Sequence, residues 1–560
     1  MEINRREFLR FMGSSTLGMS MASTLSLLNL SNCSSRPGSN GYPSIPSLQK
    51  LSIFPELVPT NVDDLMLMAP LEYDLLVSWG DPIQNSFFGF NNDYLAFVSN
   101  TKSFDEGLLW VNHEYPADDF YFRKDGIIQK NKARIMAEMR SVGGSIVPVK
   151  KDKMGKWKLN VNSKSFKRID GFTKIPFSTP LNGKTHAIGM VGNCAGGVTP
   201  WKSILTCEEN YDDYYGEVEY GSPSDQRTES IYGWEKVYPD RHPHDYGWVV
   251  EVNPLTGAAK KLISLGRFAH ECATCVTLKN GKVAVYSADD KIDEHLYKFI
   301  SSSTNSLDQG TLYVAKINGT KGEWIALDIE QQPLLKNKFK NQQEVLINTR
   351  IAAKLLGATP LERPEDVEIH PITGDIYVAL THAVPEKGHY GKILRIKETN
   401  SDYASLTFLA EDFLLGGTFP GFGNPDNLCF DPEGNLYITT DYTGKKKDDF
   451  KNNVLFFVPM SSKYPVGSIG KPYIIASAPV GAEFTGPCLS SDKKTLFLSV
   501  QHPGEKSAKE GKWRSQWPRV QAKPSARIDW ESDWKINEIP RPSVITIDIS
   551  KIPQILLAQN

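Results

Sequence analysis

Along most of its length the chain alternates apolar and polar residues in short runs, and the runs come in pairs joined by turn residues. The segments "ATCVTLKNGKVAVYSADD" (273–290), "DVEIHPITGDIYVALTH" (366–382), "NLCFDPEGNLYITTD" (427–441) and "GPCLSSDKKTLFLSVQH" (486–502) share this shape. Period-two alternation interrupted by such turns predicts β-hairpins. Weaker relatives at 192–209 and 91–114 bring the number to about six, and further strand pairs lie between them at 247–266 and 310–327. Repeated units of short strands predict an all-β chain built as a β-propeller with inserted loops, although a pair of sandwich domains suits the same pattern. Helical periodicity is confined to 131–142 and 348–358. No run separates two domains, so residues 50–560 are expected to form a single catalytic domain.

The N-terminus departs from this pattern. Residues 1–32 pair a basic head, "NRREFLRFMG", with a mildly apolar stretch rich in small residues. This is the arrangement of an export signal, and Arg5 and Arg6 followed by Phe8 and Leu9 resemble the twin-arginine type, whose passengers cross the membrane folded. Export machinery of that type is therefore an expected partner, and the expected location is periplasmic or extracellular. Cys33 resembles a lipoprotein cleavage site and is a candidate membrane anchor, although Asn32 stands where a smaller residue is usual. Residues 33–49 read as a flexible linker.

Lys plus Arg number 63 and Asp plus Glu 65, for a net charge of −2. That balance makes no electrostatic case for nucleic acid. A monomer is expected. Among the seven cysteines, Cys272 and Cys275 have CxxC spacing without a second pair, which favours small buried thiols over a zinc site.

Both open ends of an antiparallel hairpin lie on the same edge. The residues leading into the first strands include Cys194, Glu271, Glu365, Asp426 and Glu483. Those leaving the second strands include Glu208, Glu209, Asp289, Asp290, His382, Asp441 and His502. If the hairpins are the inner strands of successive blades, these groups converge on one mouth of a central channel. So many acids repel one another unless cations sit among them. Carboxylates suit Ca²⁺, and a thiolate beside carboxylates suits a transition metal such as iron. Arg363 precedes Pro364, which predicts extended backbone there, and its guanidinium would bind phosphate or carboxylate. Asn112, His113 and Glu114 end an apolar run and form either another rim set or a turn. His186, His242, His244 and His389 read as ordinary surface residues.

"GNCAGGVTPWKSILTCEEN", "GRFAHE", "GATPLERPED" and "GPCLSSDKKTLFLSVQHPGE", with "VSWGDP" and "GFNNDYLAF" upstream, resemble the PhoX-type alkaline phosphatases over roughly residues 70–505. The resemblance implies a six-bladed β-propeller whose cluster of two Fe³⁺ and two or three Ca²⁺ hydrolyses phosphomonoesters outside the cytoplasm. It places an iron ligand on Cys194, the paired glutamates on Glu208 and Glu209, and further metal ligands on Glu271 and Glu365. It places a phosphate contact on Arg363, with Arg363 and Glu365 catalytic. Asp290 is implied as a further metal ligand and Asn112 as a substrate contact. Three features depart from the family pattern: Cys272 where glycine is usual, Asp366 where tryptophan is common, and "YPDRHPHD" in place of an Arg-Phe-Asp run. A calcium-dependent propeller hydrolase of another class, a lactonase or phosphotriesterase, and a noncatalytic binding propeller are the alternatives.

Overall fold

The six hairpins form where the alternation places them. Asn92–Ser99 pairs with Glu106–His113, Asn193–Val198 with Ile204–Glu208, and Thr274–Thr277 with Val283–Ala288. Pro364–Ile369 pairs with Ile376–Val384, Pro425–Phe430 with Leu436–Thr440, and Glu483–Leu489 with Thr495–Gln501, all antiparallel. The computed structural model describes residues 57–552 apart from 85, 100–102, 223–225, 385–386, 418–420, 443–449, 465–468 and 520–537. The expected signal segment 1–32 and linker 33–49, with Cys33, lie outside the described residues.

The described chain is nearly all β with a few short helices. Each hairpin is extended outward by further strands into an array that is antiparallel except where Lys174–Leu181 meets Ala259–Leu262 in parallel. Two arrays join along their outer strands, where Lys321–Glu323 pairs with Thr407–Leu409, into one nine-stranded sheet. In the last array Tyr73–Ser78, from the start of the described chain, pairs with Ser543–Asp548 from its end. The first strand of each hairpin packs on the first strands of the hairpins before and after it. The strand Glu483–Leu489 also touches Asn92–Ser99, so the six close a ring.

Packing follows from the alternation. Each array buries apolar residues on both faces, and a hydrophobic cluster fills every gap between neighbours. Leu95 and Val111 meet Phe497 and Val544 in one gap, and Trp110 and Ile146 meet Ile204 and Val250 in the next. Val285 and Tyr297 meet Leu205 and Val249, while Tyr286 and Leu296 meet Val367 and Val378. Ala379 and Ile393 meet Ile438 and Phe456, and Leu455 and Ile475 meet Leu496 and Ile545.

The helix Lys132–Ser141 starts at Asn131, whose side chain accepts from Arg134 N at 2.9 Å. The periodicity at 348–358 yields Thr349–Leu355, preceded by two helices the pattern did not predict, Pro333–Lys338 and Gln342–Ile347. Among the described residues no helix is long and apolar enough to cross a membrane. Cys272 is buried, Cys275 half-buried, and all six described cysteines are free.

Candidate metal centre

At one end of the ring the inner strands slip register in the same way. Between Asn92↔His113 and Leu95↔Val111, Asp93 and Tyr94 face only Asn112. Cys194 and Ala195 likewise face only Cys207, Glu365 and Asp366 face only Ala379, and Asp426 and Asn427 face only Thr439. A bulge of two residues against one re-aims the side chain of the bulged strand. In all four hairpins the first bulged residue lines a single cavity of about 180 Å³. Glu271 lies in a similar slip between the bridge His270↔Asp289 and the pair Thr274↔Tyr286.

Ten carboxylates line this cavity: Asp93, Glu114, Glu209, Glu271, Asp290, Glu365, Asp426, Asp441, Glu483 and Glu505. Arg363 and His502 are the basic side chains on its wall. Three sets of ligand atoms each fall within 4.8 Å of one another: Asp93, Glu114 and Cys194; Glu209, Glu271 and Asp290; Glu271, Glu365 and Asp426. Glu271 belongs to two sets. Cys194 Sγ lies 3.3 Å from both Asp93 Oδ2 and Glu271 Oε1.

The electrostatics record the crowding. Burial first, then Glu365, Asp290 and Asp426, push Glu271 well above the carboxylate range, and burial and Asp290 do the same to Glu365. Burial raises Asp93 to about 7 despite a hydrogen bond from Cys194, and raises Glu209 to about 7 despite Lys291. Burial, then Asp93 and Glu271, raise the Cys194 thiol.

Arg363 donates to Asp290 through Nε at 2.8 Å and Nη2 at 2.6 Å, and Nη2 lies 2.9 Å from Glu365 Oε1. Burial opposes its charge, and Glu365 and Asp290 more than offset that. Its backbone is not extended as Pro364 led us to expect: φ is +52°. A left-handed non-glycine residue costs about 1–3 kcal/mol and persists only where its surroundings hold it; here Arg363 N donates to Leu361 O at 3.1 Å, its carbonyl accepts from Thr381 N at 3.0 Å, and its guanidinium pairs with two acids.

Two residues implied by the family resemblance are not brought to the cavity. Glu208 is fully buried on the opposite face of its strand, because successive side chains alternate. Its carboxylate accepts from Lys261 Nζ at 2.7 Å, Val191 N at 3.1 Å, Gly247 N at 3.0 Å and Trp248 N at 3.1 Å, which leaves no lone pair facing the cavity. Asp289 and Asp290 divide in the same way: Arg350 takes Asp289, with Nε 2.8 Å from Oδ2, and Asp290 faces the cavity. Asn112 does not line the cavity either. Its Nδ2 donates to Cys194 O at 2.6 Å and Ala195 O at 3.0 Å, and its Oδ1 accepts from Trp110 Nε1 at 2.6 Å and Thr206 Oγ1 at 2.7 Å. It braces the bulge that carries Cys194. His382 does not line the cavity.

Asp93 was missed by the sequence reading, and Glu114 was left between rim and turn. The same hairpin-end rule applied to 91–114 would have found both. A larger cavity of about 750 Å³, lined in part by Trp201, Glu251 and Leu255, holds none of the clustered acids. Chemistry, not size, marks the site.

The profile of the alkaline phosphatase PhoX family matches residues 52–504. The chain belongs to that family. It is an enzyme of the alkaline phosphatase class. The structure of Pseudomonas fluorescens PhoX in complex with vanadate, a transition state analogue, is 26% identical at a TM-score of 0.75, and the match covers 88% of this chain and 97% of that one. A gluconolactonase from Xanthomonas campestris is 10% identical at a TM-score of 0.33, with 79% of this chain and 94% of that one covered. A Dyadobacter fermentans protein of unknown function is 9% identical at 0.37, with 87% and 100% covered. The search of curated proteins finds no match.

The PhoX-family cavity is chemically suited to cations. Asp93 Oδ1 and Glu271 Oε2 are buried without a hydrogen-bond partner, and buried carboxylate oxygens are almost always satisfied. Both atoms belong to residues of the three ligand sets, so metal ions fit the residues present.

Proposed function

We propose that the chain is an exported phosphomonoesterase that works at a mixed iron and calcium cluster in the mouth of a six-bladed propeller. The observation that carries this reading is a lone sulfur, Cys194, enclosed with buried carboxylates in the cavity that also holds Arg363. The closed ring of six inner strands supports the propeller. Cys194, with Asp93 and Glu114, would hold the softer transition metal, and the two oxygen sets that share Glu271 would hold hard cations. Cations held by these residues would supply charge neutralisation for a phosphoryl group and would acidify water toward neutral pH.

The protein's own contribution is positioning. Arg363, fixed by Asp290, presents its remaining donors to a phosphoryl oxygen, and such a preorganised donor acts where charge develops in the transition state. Lys291 holds Glu209 Oε1 at 3.1 Å from the other side. Asn112 keeps the Cys194 backbone from shifting. The bulges set the acids on rigid strands, so little reorganises when substrate arrives.

Elemental analysis of the purified protein beside a p-nitrophenyl phosphate assay tests the reading. Iron and calcium with turnover support it, and an active protein without iron overturns the mixed cluster. Cys194→Ala separates it from a calcium hydrolase of another class, which has no use for the thiol: we expect loss of both iron and phosphatase activity. Export rests on the twin-arginine pattern, and Arg5→Lys with Arg6→Lys should retain the protein in the cytoplasm.

A further inference from the structure

In three successive hairpins the residue that follows a cavity acid reaches sideways to the next hairpin. Cys272, after Glu271, donates through Sγ to Glu365 O at 3.6 Å. Asp366, after Glu365, accepts from Leu428 N through Oδ2 at 2.9 Å. Asn427, after Asp426, accepts from Gly486 N through Oδ1 at 2.7 Å. The acids that precede these three residues, Glu271, Glu365 and Asp426, are together one of the ligand sets. Cys272, Asp366 and Asn427 themselves do not line the cavity.

The inner strand of each hairpin is the edge of its array, and an edge strand presents backbone N–H groups without ladder partners. Leu428 N and Gly486 N find their acceptors in side chains of the preceding hairpin. Asp366 is buried, and its other oxygen, Oδ1, accepts from Val367 N at 2.8 Å. One carboxylate thus joins the residue just past the Glu365–Asp366 bulge to the residue just past the Asp426–Asn427 bulge. Asn427 adds a direct contact with a cavity acid. Its Nδ2 donates to Asp426 Oδ1 at 2.9 Å, and its backbone N donates to Thr439 Oγ1 at 3.0 Å. Two acids carried on separate hairpins are therefore held at one spacing by side chains outside the cavity.

We propose that Asp366 and Asn427 are positioning residues for the cation held by Glu271, Glu365 and Asp426, an assignment that rests on the cation reading above. A calcium site is tuned by the rigidity of its oxygen ligands, and the partners that orient those ligands contribute to affinity without touching the ion. Glu365 and Asp426 repel one another as like charges. The bonds through Asp366 and Asn427 keep the two bulges from drifting apart when the site is empty, so the oxygens stand ready.

The test titrates Ca²⁺ into the chelator-treated full chain by calorimetry, for the wild type, Asp366→Asn and Asn427→Ser. An amide at 366 keeps the size but offers a single acceptor oxygen to two N–H groups, and the shorter serine at 427 gives up the bonds to Asp426 and Gly486. Each variant should raise the Kd for Ca²⁺ by about 10–100-fold at unchanged iron content, and excess calcium should restore kcat on p-nitrophenyl phosphate. Asn427→Ser changes no charge, so its effect reports position rather than field. Glu208→Gln serves as the control: it should lose stability and leave the Kd unchanged, so that instability alone does not mimic the result. If one variant fails to fold, the other still decides. An unchanged Kd in a folded variant, whatever its Tm, overturns the role of the residue replaced, and a loss confined to Asp366→Asn is a charge effect that overturns positioning. A wild type that takes up no calcium would instead sink the cation reading itself.

Discussion

The guanidinium of Arg363 lies fork-on against Asp290, with Nε 2.8 Å from Oδ1 and Nη2 2.6 Å from Oδ2. An ammonium cannot reproduce two parallel bonds. Arg363→Lys should therefore keep the charge and lose the geometry, lowering kcat/KM on p-nitrophenyl phosphate by about 10²–10³-fold, the loss typical of a removed transition-state donor. Steady-state kinetics with a metal count check it. Full activity in Arg363→Lys would remove the residue from the phosphoryl site.

Glu208 and Glu209 are neighbours with separate roles, and their variants should behave differently. Glu208 and Lys261 are both fully buried, and breaking a buried pair leaves an uncompensated charge worth about 3–5 kcal/mol. Glu208→Gln should lose stability on that scale in urea denaturation while its folded fraction keeps its metal. Glu209→Gln should lose metal with a smaller change in apo-protein stability. The reverse pattern would return Glu208 to the ligand set.

Asn112→Ala would strand buried partners on two sides, Trp110 and Thr206 at its oxygen and the Cys194 and Ala195 carbonyls at its nitrogen. A cost of about 1–3 kcal/mol follows for each buried group left unsatisfied, read as a lower Tm, with KM for p-nitrophenyl phosphate little changed. A large rise in KM at unchanged Tm would instead make Asn112 a substrate contact.

His244 supplies a pH dependence away from the metal site. Burial first, then Arg267, His242 and Lys184, push it down to about 2 from an ordinary 6.5. Between those values the unfolded chain binds more protons than the folded one, so its contribution to stability is present above about 6.5 and is lost as pH falls below it. Denaturant midpoints from pH 7.5 to 5 should fall less steeply in His244→Gln than in the wild type. Parallel profiles would show that the ring titrates normally in the fold.

The hairpins were legible in the sequence because period-two alternation and turn residues are local, and they repeat in all six. The acids at their ends were legible for the same reason, once antiparallel geometry put both ends on one edge. The direction each acid faces was not. Glu208 and Glu209, or Asp289 and Asp290, are equivalent as text, and the difference lies in Lys261 and Arg350, which reach them from distant segments. The bulges at Asp93, Cys194, Glu365 and Asp426 leave no mark in composition, because a one-residue slip is set by the partner strand. Arg363 shows the limit most plainly: Pro364 argued for extended backbone, yet the residue is left-handed, with its carbonyl bonded to Thr381 N and its guanidinium to two carboxylates. The sequence by itself therefore determined the strands, the inventory of acids and the single thiol among them. The tertiary structure decided which of them share a cavity, because facing and register depend on neighbours far away in the chain.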